Sequence, residues 1–383
     1  MLSLLFIFFS CCLCRSDSRD AYVLAEDWNW GWYSVQRVRL GPAKDGYRST
    51  SVSAVVNSSE TQGILGAASS FASNAACHAL SSNGADWHFM TKLGDRRAVL
   101  TVHLQGKDKT SVHLLPTSAR NDTGQVGCVW REESRELVML EFRPWTSGRI
   151  QYLLTGVWVD SGAVRPITEF LDSTTVDYRM HSTDDEGRLY VSNAPGKGRR
   201  TYVVDGKHTD ASFSKALVAN VTVDRNCSVV SALTKNVIFL CDEGDSNDAN
   251  FGSVTLNDFL KEDHESTVTV ADGWTMPRPT SALATDDRTL FFARASEEAG
   301  PRSNFTLTEC EMVLPLATTP VCAPGKQLAT QVWAYATVAP PLPVTGGVPA
   351  AVIACSLLGA GVCAFFVYQL RKKMVARGQY TEV

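Results

Sequence analysis

The sequence predicts an all-β fold: a six-bladed β-propeller ectodomain followed by one C-terminal transmembrane helix. Three observations predict it. Short runs of β-branched and aromatic residues recur along the chain at a near-constant step. A charge-free stretch, Gly347–Leu370, is followed at once by Arg371, Lys372 and Lys373. Between the two ends, helical periodicity is poor, and Val, Thr, Tyr and Phe dominate the apolar runs, as suits a pleated, half-buried surface.

The repeat carries the fold assignment. One series of runs is 87–90, 137–140, 189–192, 237–240 and 290–293; a second follows each by about a dozen residues. The second series starts at residues 99, 150, 201, 253 and 305, a step of about 51 residues. An earlier unit, Trp32–Val35 then Thr50–Ser53, fits more loosely. Several strands per step at this length are what a propeller blade needs, because one blade cannot bury both faces and so packs into a ring. From Tyr22 to about Val338 the step counts six units. Two units show their kinship in detail. Ser182–Val191 and Ala284–Ala293 each place paired aspartates in a polar turn before an apolar-aromatic strand. Aspartate favours such turns because its side chain bonds the backbone two residues on.

The remaining elements follow in chain order. Residues 1–16 are an apolar run of signal-peptide length, with Cys12 and Cys14 as small residues before a cleavage point. Residues 17–338 form the propeller. Its last run, Gln331–Val338, is expected to pair with Tyr22–Leu24, closing the ring and hiding an edge. Residues 339–346 are a proline-rich stalk. Residues 347–370, at 1.5 Å rise per residue, are long enough to cross a hydrocarbon core of about 30 Å. The basic residues just after this span place the tail, 371–383, in the cytoplasm and make the chain a type I single-pass protein.

Compartment chemistry agrees with that topology. Of eleven cysteines, Cys77, Cys128, Cys227, Cys241, Cys310 and Cys322 lie in the ectodomain. Fifteen pairings are open to six cysteines. The expected set is Cys77–Cys128, Cys227–Cys241 and Cys310–Cys322, the last two closing short local loops. Sequons for N-glycosylation occur at Asn57, Asn121, Asn220, Asn226 and Asn304, and none lies in the tail. In Asn226-Cys227-Ser228 an early bridge at Cys227 would make the acceptor poor.

Tests for chemistry are mostly negative. No metalloprotease helix, P-loop or nucleophile elbow occurs, and the histidines show no metal-ligand spacing. The acidic run Asp242–Asp248 lacks the order of a calcium loop and reads as a solvated connection. A sialidase is the enzyme alternative. Ser182–Tyr190 and Ser81–Trp87 approach its Asp-box and Phe142-Arg143-Pro144 its arginine motif, but the three arginines and the tyrosine it needs are not assignable. No cofactor is expected and no enzyme activity. A net charge of −4 gives no reason to expect nucleic acid as a partner. The tail ends in Tyr380-Thr381-Glu382-Val383, in which Tyr380 and Val383 fit a Tyr-X-X-Φ signal for a sorting adaptor.

Resemblance adds a functional expectation. The turn-then-strand pattern of Asp184–Val204 resembles the NHL class of propeller repeat. Trp274–Pro279 is somewhat similar to kelch repeats, but their double glycine is missing. Signal, NHL-like propeller, sequons, single span and short tail together resemble the kinetoplastid flagellar-adhesion glycoproteins. That resemblance implies an ectodomain joining flagellum to cell body. The expected function is therefore a cell-surface or flagellar adhesion molecule or receptor, binding a protein or glycan ligand at one propeller face. The alternatives are an endosomal or lysosomal membrane glycoprotein sorted by its tail, and a sialidase-like glycosidase.

Overall fold

The computed structural model describes residues 19–27, 32–40, 51–56 and, apart from short internal intervals, 77–337. The predicted signal, stalk, span and tail lie outside the described residues. No described helix is long and apolar enough to cross a membrane. The described helices are single turns, α1 at Phe213–Ala216 and α2 at Leu256–Phe259.

The described strands form six antiparallel-centred sheets that follow one another along the chain, and the fold is a β-propeller. The second sheet takes its four strands from His78–Leu114 and the third from Gly124–Ser173. The fourth is built on Tyr178–Val223, the fifth on Cys227–Thr255 and the sixth on Ser281–Cys322, each with short added strands. The first strand of each of these sheets packs against the first strand of the next.

Side-chain alternation explains the ring. In the fourth sheet, Leu189 and Val191 bury against the third sheet, while Tyr190 between them buries against the fifth. Val237, Phe239 and Cys241 face the fourth sheet; Ile238 and Leu240 face the sixth. Leu290 and Phe292 meet the fifth sheet, and Phe291 and Ala293 pack with Ala21, Val23 and Val38 of the first. A middle strand thus has a neighbouring sheet on both sides, so both parities must be apolar. That is why these strands read as continuous apolar runs. The last long strand of the fourth sheet, Leu217–Val223, has one covered side and alternates, with Ala219, Val221 and Val223 buried; the two-residue strand Glu265–Ser266 pairs with its end.

The first sheet is made from both ends of the described chain. Gln331–Thr337 pairs antiparallel with Arg19–Asp27, Ala21 opposite Thr337 and Leu24 opposite Ala334. The ring therefore closes as expected. One strand placement is corrected. Trp32–Leu40 and Ser51–Val56 are the third and fourth strands of their sheet, whereas the repeat elsewhere marks second and third strands. The second strand here is Arg19–Asp27, because the first is supplied from the far end of the chain. The looser fit of this unit has that cause.

Candidate functional site

Each sheet of a propeller has two ends. One end carries the turns joining its first to second and third to fourth strands. Both near-matches to an Asp-box lie there, and both are turns. Ser81 Oγ accepts from the Asp86 amide at 3.0 Å and donates to Asn83 Oδ1 at 2.8 Å, closing the 81–86 turn. Asp184 does more. Its Oδ1 accepts from the amides of Glu186 and Arg188, both at 3.0 Å; its Oδ2 accepts from Arg188 Nε at 2.6 Å and Tyr190 OH at 2.8 Å. Burial, then the Asp184 charge, pushes the Tyr190 hydroxyl above its ordinary range, so it stays a donor. The second aspartate reaches the next sheet: Asp185 Oδ2 accepts from Thr234 Oγ1 at 2.8 Å. The paired aspartates therefore hold a turn and join two sheets.

Between the third and fourth sheets this end holds a buried charge cluster. Glu136 is fully buried. Its carboxylate accepts from Arg165 Nε at 2.8 Å and Nη2 at 2.7 Å, from Arg131 Nη1 at 3.1 Å and from Ser134 Oγ at 2.8 Å. Burial alone would raise its pKa, but the hydrogen bonds from Arg165 and Ser134 and the two guanidinium charges outweigh that and hold it below the ordinary carboxylate value. The arginines continue across the joint. Arg131 Nη1 and Arg165 Nη2 donate to the Gly206 carbonyl at 2.7 and 3.0 Å, and Arg165 Nη1 donates to the His208 carbonyl. Gly156 leaves the room this needs, since a Cβ there would lie 3.1 Å from Glu136 Oε1. Such a cluster fixes two sheets in register; removing one partner would leave buried charge uncompensated.

The joint between the second and third sheets carries a second polar group. Arg97 and Glu141, both buried, pair at 2.6 Å. Nearer the turns, His88 stacks on Trp130 with ring centres 4.5 Å apart. Around them, Trp130 Nε1 donates to Glu132 Oε2 at 2.6 Å and His103 Nδ1 meets Asp86 Oδ1 at 2.7 Å. Arg135, at a positive φ of 51°, forms an exposed two-pronged pair with Asp160. The turn end over the second to fourth sheets is thus rigid, charged in both signs and rich in exposed donors and acceptors. Among the described residues no group of His, Cys, Asp and Glu could hold a metal ion.

The predicted residues fall as follows. Cys77–Cys128 joins the second and third sheets, Cys227–Cys241 joins two strands of the fifth, and Cys310–Cys322 joins two strands of the sixth. Asn220 is exposed on the Leu217–Val223 strand of the fourth sheet; Asn226 is partly buried. Asn57, Asn121, Asn304, Tyr380 and Val383 lie outside the described residues, as does most of the acidic run 242–248. Arg143 is engaged within its sheet, donating to Gln151 Oε1 at 2.5 Å and lying over the Trp145 ring. The Glu136 cluster was not foreseen, because its arginines come from residues 131 and 165, on different strands. The one sequence signal was charge flanking the apolar run Leu137–Leu140.

No protein-family model matches the sequence, and no curated protein is significantly similar to it. Solved structures are similar in fold. TolB from Acinetobacter baumannii matches over 84% of this chain at 11% identity and TM-score 0.50; this chain spans 66% of the length of that one. A Lactobacillus plantarum protein matches over 84% of this chain and 99% of its own, at 9% identity and TM-score 0.46. An oligogalacturonate lyase from Vibrio parahaemolyticus matches over 83% and 87%, at 9% identity and TM-score 0.38. At such identities the likeness shows the fold alone, and propellers host unrelated functions.

Proposed function

We propose that this chain is a type I membrane glycoprotein whose propeller binds a protein or glycan ligand, as a cell-surface or flagellar adhesion molecule or receptor. Each of the six sheets is then one blade. The observation that carries the reading is the bridging of all six ectodomain cysteines. Three disulfides in one chain fit an oxidising, extracytoplasmic setting, which the sequons and the Gly347–Leu370 span also favour. Binding rather than catalysis is favoured by the turn end itself. Its aspartates and its buried arginines are spent on holding turns and sheets, and its exposed charge is what a rigid docking surface offers.

The test images the full-length protein, tagged in the stalk, beside Tyr380→Ala. A continuous surface or flagellar line, equal in both, is the expected result. Vesicular signal that moves to the surface in the variant would overturn the adhesion reading in favour of an endosomal or lysosomal one.

A further inference from the structure

We propose that of the two sequons in the described residues, Asn220 is a glycan acceptor and Asn226 is left bare by the way its strand folds. The inference rests on the secretory-pathway reading above. Asn220 lies on the last long strand of the fourth sheet, whose residues alternate; the short strand Glu265–Ser266 pairs with Thr222 and Val223 of it and stops short of Asn220. Val218, Asn220 and Thr222 are exposed, while Ala219, Val221 and Val223 between them are buried. Acceptor amide and sequon hydroxyl therefore stand on the same exposed side of that strand, both open to solvent. Val218, 39% exposed, lies two residues away and would gain cover.

Asn226 has the opposite surroundings on every side. Its Nδ2 donates to Asp242 Oδ2 at 3.3 Å, and its carbonyl accepts from the Asp242 amide at 3.0 Å. Cys227 next to it is bridged to Cys241. The sequon hydroxyl, Ser228 Oγ, is on a residue 2% exposed and donates across the sheet joint to the Asn193 carbonyl at 2.7 Å. The two cysteines are 14 residues apart, so the hairpin that sequesters the sequon is local. Local hairpins close in about 1–10 μs, and its disulfide then keeps the acceptor tied to Asp242.

The experiment expresses the full chain in a eukaryotic secretory host and removes N-glycans enzymatically in heavy-oxygen water, which converts each occupied Asn to a labelled Asp. Label on the Asn220 peptide and none on the Asn226 peptide is expected. Asn220→Gln should lose the mass of one glycan on a gel and Asn226→Gln none. Cys241→Ala keeps the sequon Asn-Cys-Ser but removes the bridge, and should bring label to Asn226 even if that variant folds poorly. Label on Asn226 in the wild-type chain, or an unlabelled Asn220, overturns the inference. So does an Asn226 that stays bare in Cys241→Ala. Absence of label at all five sequons would instead sink the secretory reading on which it rests.

Discussion

His88 is 2% exposed, stacked on Trp130, with Nδ1 2.9 Å from Thr101 Oγ1. Burial pushes its pKa down to about 4; Asp86 and Asp160 oppose that, and His103 and Arg135 add to it. Burial likewise brings His78, whose Nδ1 accepts from Trp87 Nε1 at 3.3 Å, down to about 4. The sign of the consequence is fixed. Unfolded, each imidazole takes a proton near pH 6.5; folded, each refuses it until about 4. In that window the unfolded chain binds more protons, so stability falls as pH falls, by up to about 1.4 kcal/mol per pH unit for each histidine. Urea midpoints measured from pH 7 to 5 should decline, and His88→Gln should flatten the decline. An unchanged slope in that variant would rule His88 out as a source. None of this was legible in the sequence. In Asp86-Trp87-His88-Phe89 a histidine between aromatics reads as an outward residue of an alternating strand. It is buried because a second sheet lies on that side too.

At the scale of elements, the joints between sheets reuse one device. Ser182, on the first strand of the fourth sheet, accepts from the Ala232 amide of the fifth at 2.8 Å. Ser231, on the first strand of the fifth, accepts from the Ala284 amide of the sixth at 2.9 Å. Both serines directly follow a register shift in their own sheet, and each amide they accept from lies beside a register shift in its sheet, at Val229/Ser231 and Ala284/Asp286, where the ladder is locally disrupted. Ser182→Ala and Ser231→Ala should each cost about 1–3 kcal/mol, since each leaves an inward amide without its acceptor. Denaturant unfolding measures it; a loss below about 0.5 kcal/mol in both would show that water replaces the hydroxyl. Where strands approach most closely, glycine is required. Gly127, at φ +147°, faces the Met180 carbonyl, which a Cβ would meet at 2.1 Å. The middle strands were legible because both of their faces are apolar. The serines were not, because a one-residue shift leaves no mark in composition and a hydroxyl in a strand reads as solvent-facing.

For the whole molecule, the period and the closure were the legible part. A step near 51 residues follows from four strands and their turns, and the apolar ends at Tyr22–Leu24 and Gln331–Thr337 were each a strand lacking a partner. What could not be read was which pairs of distant charges, such as Glu136 with Arg165, meet across a joint, since that depends on how sheets are set in the ring. A chain ending at Thr330 removes the first strand of the first sheet and exposes the hydrogen-bonding edge of Arg19–Asp27. It should lose its single cooperative thermal transition and associate through that edge, whereas a chain ending at Ala339 should keep the transition. Equal melting of the two would show that the closing strand contributes nothing to the ring.

That closing strand also sets how the ring resists force. Thr337 lies opposite Ala21, so the last described strand ends beside the point where the first begins. A pull along the Gln331–Thr337 strand would shear it against its partner, Arg19–Asp27. The bonds between the two would then be strained together and would yield as one, where a sideways pull would open them one at a time. The closing seam is therefore strongest against a pull along its own strands.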